Sequence, residues 1–423
     1  FRNGRFCRVM IQEKVQTKIT PDFFSEDYFE KFASNHSWEP GWLADLRKES
    51  WERLREDQDF SLKDERWRFS PKSRLGYSHF ESISDSSHSV KFNQASESSE
   101  NIWDTVDNIL LDNPDLISDF AEISGPNLGA TESFHLTNTY FNNGFFIKVS
   151  GNPSQKLQLS IDHTCPQEGL VSFHKNYVVL DDFAEVTLIE NFISENDTSQ
   201  GGLSNLTHFK IGKGAKLNRI LIQNMADGSS FHNLENFDLH ANSTVVNVEC
   251  FLGANQSRIE TKGNLLQSGS NFENFSFVSG RKEQLFDQRT EQHHLAPHCS
   301  SNLLSKNVLQ EEAKSIFAGL IKVDSEAQET NALQTNRNLL LSKEAEADSL
   351  PGLEILANDV RCTHGATTSR LDQEELFYLL SRGIDKKSAE SLISLGFIEE
   401  IIGKVQDEDL TQTIRDLVCN HFK

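Results

Sequence analysis

Cys362 and His364 are the pair in this chain best placed to do chemistry together. They lie two positions apart in the stretch PGLEILANDVRCTHGATTSR, residues 351–370. In an extended segment the side chains at i and i+2 project to the same side. A thiol and an imidazole would then face one direction. A soft sulfur beside a borderline nitrogen suits iron, zinc or a sulfur species. The same spacing also fits a half-buried cysteine next to an unrelated surface histidine, because free cysteine is commonly buried as a small hydrophobe.

A second group is denser. His293, His294, His298 and Cys299 place four possible ligands within seven residues, a set that zinc or iron could use. The spacing matches no standard finger, and Pro297 points to an irregular turn, so a polar loop without metal is the competing reading. Signatures of self-sufficient enzymes are missing. The sequence has no GxxxxGK[ST], HExxH, GxSxG or GxGxxG. Gly212-Lys-Gly-Ala-Lys216 reads as a strand corner rather than a phosphate cradle. The chain is expected not to hydrolyse ATP alone and to have no catalytic cycle of its own.

The elements that must carry these residues change character along the chain. From about Phe134 to Val360 short alternating runs recur, as in 146–149, 157–161, 186–189, 217–222 and 245–248. Period two marks strands. They repeat in a frame. Leu180, Ile211, Leu239 and Leu266 end strands. A small residue follows four positions later (Ala184, Ala215, Ser243, Ser270), then an apolar one two further on (Val186, Leu217, Val245, Phe272). A weaker copy starts at Leu309, with Ala313 and a late Ile316. A strand, a tight corner and a second strand make part of one coil of a β-solenoid, and the small residue sits where the corner is crowded. About 230 residues at this period would give about eight coils. A β-sandwich would also show short strands, but has no reason to repeat the corner.

Around this core the pattern is helical. Phe23, Phe24, Phe29 and Phe32 suggest a short amphipathic helix over about 22–33. Leu43, Leu46, Trp51 and Leu54 suggest a second from Pro40, with Arg47, Lys48, Glu49 and Arg53 mainly on other faces. This region reads as a cap or a partner surface. Residues 80–99 are Ser-rich and read as a flexible linker. A helical rhythm from Asn101 to Ile123 is divided by Pro114. After Arg370, Asp372 with Glu375 and then Asp385 are N-cap signals, and Gly383 and Gly396 are stops. This small helical domain is expected to pack on the solenoid end and cover its edge. The expected domains are 1–128, an N-terminal helical region with the linker; 129–365, the β-solenoid; and 366–423, the C-terminal helical domain.

Composition narrows the setting. The formal charge of −22 over 423 residues opposes nucleic acid and anionic membranes as partners. No apolar run approaches the ~20 residues that span a bilayer. Six cysteines at 7, 165, 250, 299, 362 and 419 form no CxxC pair, which fits a reducing cytoplasm. Sequons at Asn35, Asn196, Asn205, Asn242, Asn255 and Asn274 are the counter-signal for export, with no signal peptide to support it. The chain opens at Phe1 with a basic stretch over 1–9 and its first methionine at Met10. An upstream start or a tag remnant is expected there, rather than a transit peptide.

The text of 351–370, followed by LDQEELFYLLSRGI, resembles the terminal signature of the SufB/SufD family, scaffold subunits of the SUF iron–sulfur cluster assembly system. AKSIFAGLIKV and TNALQTNRNLLLSKEAEADS upstream are similar to the same family. The likeness is dense from Lys306 to Gly396, diffuse over the middle and weak over the first hundred residues. Thr363-His364-Gly365-Ala366-Thr367 stands where the SufB side has text closer to EHEAT-S, and so favours the SufD side. The resemblance implies a mainly β fold: a right-handed parallel β-helix (β-solenoid) core flanked by an N-terminal helical region and a C-terminal α-helical domain. It implies pairing with a SufB-like scaffold subunit through the strand end at 354–360, docking of a SufC-like ATPase on the C-terminal helices, and no nucleic acid or membrane partner. His364 would be an essential ligand and Cys362 an auxiliary one for a transient iron–sulfur cluster or iron at the partner interface. Reduced flavin is implied only for the complex. His293 and Cys299 resemble positions where the family often carries those residue types. The rival readings are a secreted solenoid protein acting on or adhering to polysaccharide, and a SufB-like subunit holding the main cluster cysteines itself.

Overall fold

The computed structural model of the chain describes residues 22–56, 64–70, 75–84, 90–95, 101–118, 125–151, 156–196, 198 and 200–422. The basic segment 1–9 and Cys7 lie outside them. Three short strands come first: β1 (Ser82–Ile83), β2 (Val90–Ala95) and β3 (Ile102–Thr105). Sixteen more follow and alternate between two sheets. One sheet holds β4 (Phe145–Val149), β6 (Leu170–Leu180), β8 (Gly202–Ile211), β10 (Ser230–Leu239), β12 (Gln256–Leu265), β14 (Leu285–His294), β16 (Lys314–Val323) and β18 (Glu346–Ile355). The other holds β5 (Lys156–Cys165), β7 (Glu185–Ser194), β9 (Lys216–Asn224), β11 (Thr244–Phe251), β13 (Asn271–Gly280), β15 (Ser300–Leu309), β17 (Thr330–Leu340) and β19 (Val360–Arg370). Neighbours within each sheet are parallel. Two strands per coil make the eight coils of a parallel β-solenoid. Its strands run from Phe145 to Arg370, against the expected limits of 129 and 365.

The corner repeat explains the core. Leu180, Ile211, Leu239 and Leu265 join Ala184, Ala215, Val186, Leu217, Val245 and Phe272 in one buried cluster between the sheets, with Ser243 and Ser270 also fully buried. Leu265, not Leu266, ends its strand; Leu266 is 36% exposed. The copy at Leu309 belongs to the opposite corner, between β15 and β16. Ile316 there faces outward and packs on Leu75, Leu285 and Trp67.

Farther in, the core is polar. Arg219 is fully buried, 2.6 Å from Glu190 and 2.5 Å from Glu235. Burial pushes the Glu190 carboxyl up, but Arg219 and His163 outweigh it and hold it at about 2. Glu249 lies beside Glu235, and burial together with that neighbour raises its carboxyl well above the usual range. Such groups persist inside a protein only when paired.

The two ends of the solenoid differ. At the first coil β3 pairs antiparallel with β4, and β2 antiparallel with β5, so both sheet edges are covered. The stretch read as a linker over 80–99 therefore contributes β1, which pairs with β6, and the edge strand β2. An edge otherwise offers unpaired N–H and C=O groups, and Val90 and Phe92 of β2 also pack on the core between the sheets. The segment read as a helix from Asn101 starts as β3, before α3 (Val106–Asp112) and α4 (Asp115–Ser118), which flank Pro114 as expected.

The N-terminal helices α1 (Glu26–Asn35) and α2 (Gly41–Glu56), with α5 (Thr131–Tyr140), cover the outer face of the sheet that contains β6. Arg47 is buried rather than on an outer face. It holds Glu39 at 2.7 Å and donates to the carbonyls of Thr139 and Phe141. Arg258 fastens the flanking segments by donating to the carbonyls of Arg66 and Leu128.

The C-terminal helices are α6 (Gln373–Ser381), α7 (Lys386–Ile402) and α8 (Glu408–Asn420). Asp372 and Asp385 cap α6 and α7 as their sequence signals indicate. Gly396 does not stop α7, which runs straight through it. A glycine costs a helix only about 1 kcal/mol, less than the burial of Ile398, Ile401 and Ile402 returns. α7 and α8 lie on the outer face of the odd-numbered sheet, against residues such as Ile220, Val248, Phe275 and Leu304, while α6 packs on α7. Lys306 pins them through the Phe397 carbonyl at 2.8 Å and Glu400 at 2.7 Å. The expectation that they cover the solenoid end is thus corrected, and among the described residues nothing pairs with the outer edges of β18 and β19.

Candidate functional site

The site lies on that open last coil. β19 is extended throughout and pairs in parallel with β17, with Cys362 beside Ala332 and His364 beside Gln334. Thr368 meets Asn338 at 3.1 Å inside the coil, and Ser349 of β18 meets Asn336 at 2.6 Å. Alternation from Thr368 therefore turns Cys362 and His364 inward as well. In any earlier coil such residues would be covered by the next turn of chain. Here no turn follows, and His364 is exposed although it points to the interior side.

The two side chains sit in different surroundings. Cys362 is half-buried and packs on the small cluster of Ile321, Val323, Ala327, Ala332 and Ala357. Burial raises its thiol, opposed more weakly by a backbone hydrogen bond from Ala332. It is thus a protonated thiol at neutral pH, and it becomes a ligand only when an incoming cation displaces that proton to solvent. His364 makes no hydrogen bond with the described residues, so its ring nitrogens remain available to a ligand. On β18 and just beyond, Leu353, Ile355 and Leu356 are 36%, 37% and 60% exposed, an apolar rim beside the pair.

Two donors do not complete a metal site. Among the described residues no group of three or more His, Cys, Asp or Glu side chains is placed to hold one ion. A soft ion or cluster at Cys362 and His364 would need further ligands beyond the described residues.

The second histidine group does not converge. His293 faces outward and meets Asp324 at 3.0 Å. His294 points inward, beside Leu265 in the ladder, and bonds Ser301 at 2.9 Å. Burial pushes the His294 imidazole down to about 4. His298 takes a left-handed corner conformation, φ 59°, beside Glu329. Cys299 is buried in the main core, 3.2 Å from Ser270. It is the small corner residue of the next repeat, the position that Ser270 fills one coil earlier. The signal was available: the corner frame counted onward from Leu265 reaches His294 and Cys299.

A third region was only partly legible. On α6 and α7, Phe377, Tyr378 and Leu392 are 71%, 57% and 52% exposed, and Arg382 stacks on Tyr378. Leu376, Leu379 and Ala389 form the small domain's own core instead. Two of the sequons, Asn205 and Asn274, are buried and hydrogen-bonded in the solenoid interior, where no glycan fits. No helix among the described residues is long and apolar enough to cross a membrane.

Comparison with known proteins finds a family and several relatives. The family model described as SUF system FeS cluster assembly, SufBD core domain matches residues 163–397. Iron-sulfur cluster assembly protein SufD of Escherichia coli (strain K12) is 33% identical over 250 residues, which span 59% of this chain and 58% of that protein. Iron-sulfur cluster assembly protein SufD of Bacillus subtilis (strain 168) is 23% identical over 438 residues, spanning 96% and 99%. Protein ABCI7, chloroplastic, of Arabidopsis thaliana is 28% identical over 254 residues, spanning 60% and 53%.

Proposed function

Because the chain belongs to the SufBD core family of the SUF iron–sulfur cluster assembly system, on its SufD side, we propose that it is a scaffold subunit whose last coil forms half of a cluster-building pocket. The other half comes from a SufB-like subunit. The observation that supports this most is the uncovered end: a thiol and an imidazole face a space that the described residues leave open, on strands whose outer edges none of those residues pairs. A strand of a related solenoid could add to β18 or β19 and continue a sheet by main-chain pairing.

In this reading iron and sulfide are cargo. His364 supplies a neutral nitrogen ligand, and Cys362 adds a thiolate once a bound ion has displaced its proton. The apolar rim of Leu353, Ile355 and Leu356 excludes water when the partner closes over it. The exposed face of Phe377, Tyr378, Leu392 and Arg382 docks a SufC-like ATPase, since aromatics and arginine favour interfaces. ATP is used by that partner, and this chain turns over no substrate alone. Reduced flavin enters as an electron source in the assembled complex, on the family resemblance only. The cysteines at 165, 250, 299, 362 and 419 are all free thiols, as a reducing cytoplasm would keep them.

Co-expression with a SufB-like scaffold and a SufC-like ATPase tests the proposal. A complex containing all three chains, which gains the absorbance of a cluster on iron and sulfide loading, is the expected result. Failure of the three to co-purify, or a stable cluster on this chain alone, would overturn it.

A further inference from the structure

Gln334 is a fully buried side chain one strand below His364, and its amide is only half satisfied. Its Nε2 donates to the Gly319 carbonyl at 3.1 Å. Its Oε1 is buried without a hydrogen-bond partner. The Gly319 oxygen can only accept, so the amide nitrogen is the atom that bonds it, and the amide oxygen lies over the same glycine without a donor. The fold makes room for this arrangement. A Cβ at Gly319 would meet Gln334 Oε1 at 2.6 Å and its Cδ at 2.7 Å. Only glycine leaves that space.

The buried oxygen needs an N–H donor. Gln334 and His364 are direct partners in the parallel ladder, where neighbouring strands lie about 4.8 Å apart. Both side chains point into the coil. The two side chains are not hydrogen-bonded in the structure, but the exposed imidazole is free to turn toward the amide. We propose that Gln334 is the positioning residue for His364: once the ring has turned, Oε1 accepts from the proton-bearing ring nitrogen and directs the other nitrogen's lone pair toward the cargo. This rests on His364 being a ligand, as proposed above. A ligating histidine ordinarily needs such an acceptor to fix its tautomer and orientation. Gly319 then belongs to the same device, because its missing side chain leaves room for the amide and its carbonyl anchors the amide nitrogen from the opposite sheet.

Two measurements test this, one of them without any metal. In the full chain with 15N-labelled histidine, at pH 8, the His364 ring signals are assigned by their loss in His364→Ala. Wild type is expected to show one tautomer, and Gln334→Met a mixture of both. Gln334→Glu, which keeps an acceptor oxygen, restores one tautomer. In the complex with the SufB-like and SufC-like partners, cobalt(II) serves as the probe. Gln334→Met is expected to weaken its binding about tenfold or more, the size usual for losing an acceptor behind a ligating histidine. Thermal unfolding of each variant separates this from misfolding. A single tautomer and unchanged cobalt affinity in Gln334→Met would overturn the role of Gln334 while leaving His364 a ligand. Unchanged cobalt affinity in His364→Ala would instead remove the ligand reading, and this proposal with it.

Discussion

Cys362 and His364 stand on the same inward face of β19, yet only Cys362 is covered by its own chain. The thiol rests on a small apolar cluster, while the imidazole two residues on is exposed at the open end of the coil. This asymmetry separates their roles. His364→Ala should leave complex formation intact and lower the cluster yield about tenfold or more, the range seen when a metal site loses a partner. Under the proposed roles Cys362→Ser should lower it less, because serine would replace an auxiliary ligand by a weaker one. Visible absorbance after iron and sulfide loading of the complex measures both.

The open edge makes a separate prediction. Leu353→Lys and Ile355→Lys alter residues already more than a third exposed, so the isolated chain should unfold within about 0.5 kcal/mol of wild type. Affinity for a SufB-like partner should fall by at least about 2 kcal/mol if these residues are central to the contact. Isothermal calorimetry reads the binding and chemical denaturation the stability. Loss of stability without loss of affinity would place these residues in the fold alone.

Phe377→Ala and Tyr378→Ala probe the helical face. Both side chains are mostly exposed and should cost the isolated chain about 0.5 kcal/mol or less. Binding of a SufC-like ATPase should drop strongly in a pull-down, with pairing to the SufB-like subunit unchanged.

Cys299 is expected to be structural. Its position at the corner requires a small residue, so Cys299→Ser should assemble clusters at the normal rate. Cys299→Leu should lose about 1–3 kcal/mol of stability through overpacking. A cluster defect in the serine variant with unchanged stability would return Cys299 to the chemistry.

Buried histidines make the fold sensitive to acid. Burial lowers the imidazoles of His294 and His421 to about 4 and that of His232 to about 3, from an ordinary 6.5. Below pH 6.5 the unfolded chain takes up protons that the folded chain refuses, so stability falls with pH. The contribution is complete above 6.5 and is lost progressively down to about 4 and 3. Glu190, held at about 2 against an ordinary 4.5, adds a second loss beginning below pH 4.5. The melting temperature should therefore decline from pH 7 to pH 5 and more steeply below.

Much of this was legible in the sequence because coils repeat. Leu180, Ala184 and Val186 recur one coil later as Ile211, Ala215 and Leu217, and crowding at the corner imposes that frame wherever it occurs. The i, i+2 spacing of Cys362 and His364 needed only an extended strand to bring them together. Three things were hidden. The burial of Arg47, Arg219 and Glu190 depends on partners distant in sequence, such as Thr139 and Glu235, so each charge alone reads as solvated. The covering strands β2 and β3 do present Val90, Phe92 and Trp103 to the core, but β2 sits in Ser-rich surroundings and β3 runs straight into the apolar residues of α3, so each reads as part of its neighbourhood. Helix faces show that α7 and α8 bury an apolar side, but not whether the sheet face or the solenoid end receives it.

The most direct measurement is pulsed electron paramagnetic resonance on the reduced, cluster-loaded complex in which only this chain carries 15N-histidine. A nitrogen-15 coupling to the cluster that vanishes in His364→Ala is the expected result. No coupling from this chain, or a coupling that survives His364→Ala, would contradict a cluster held at the open end of the last coil.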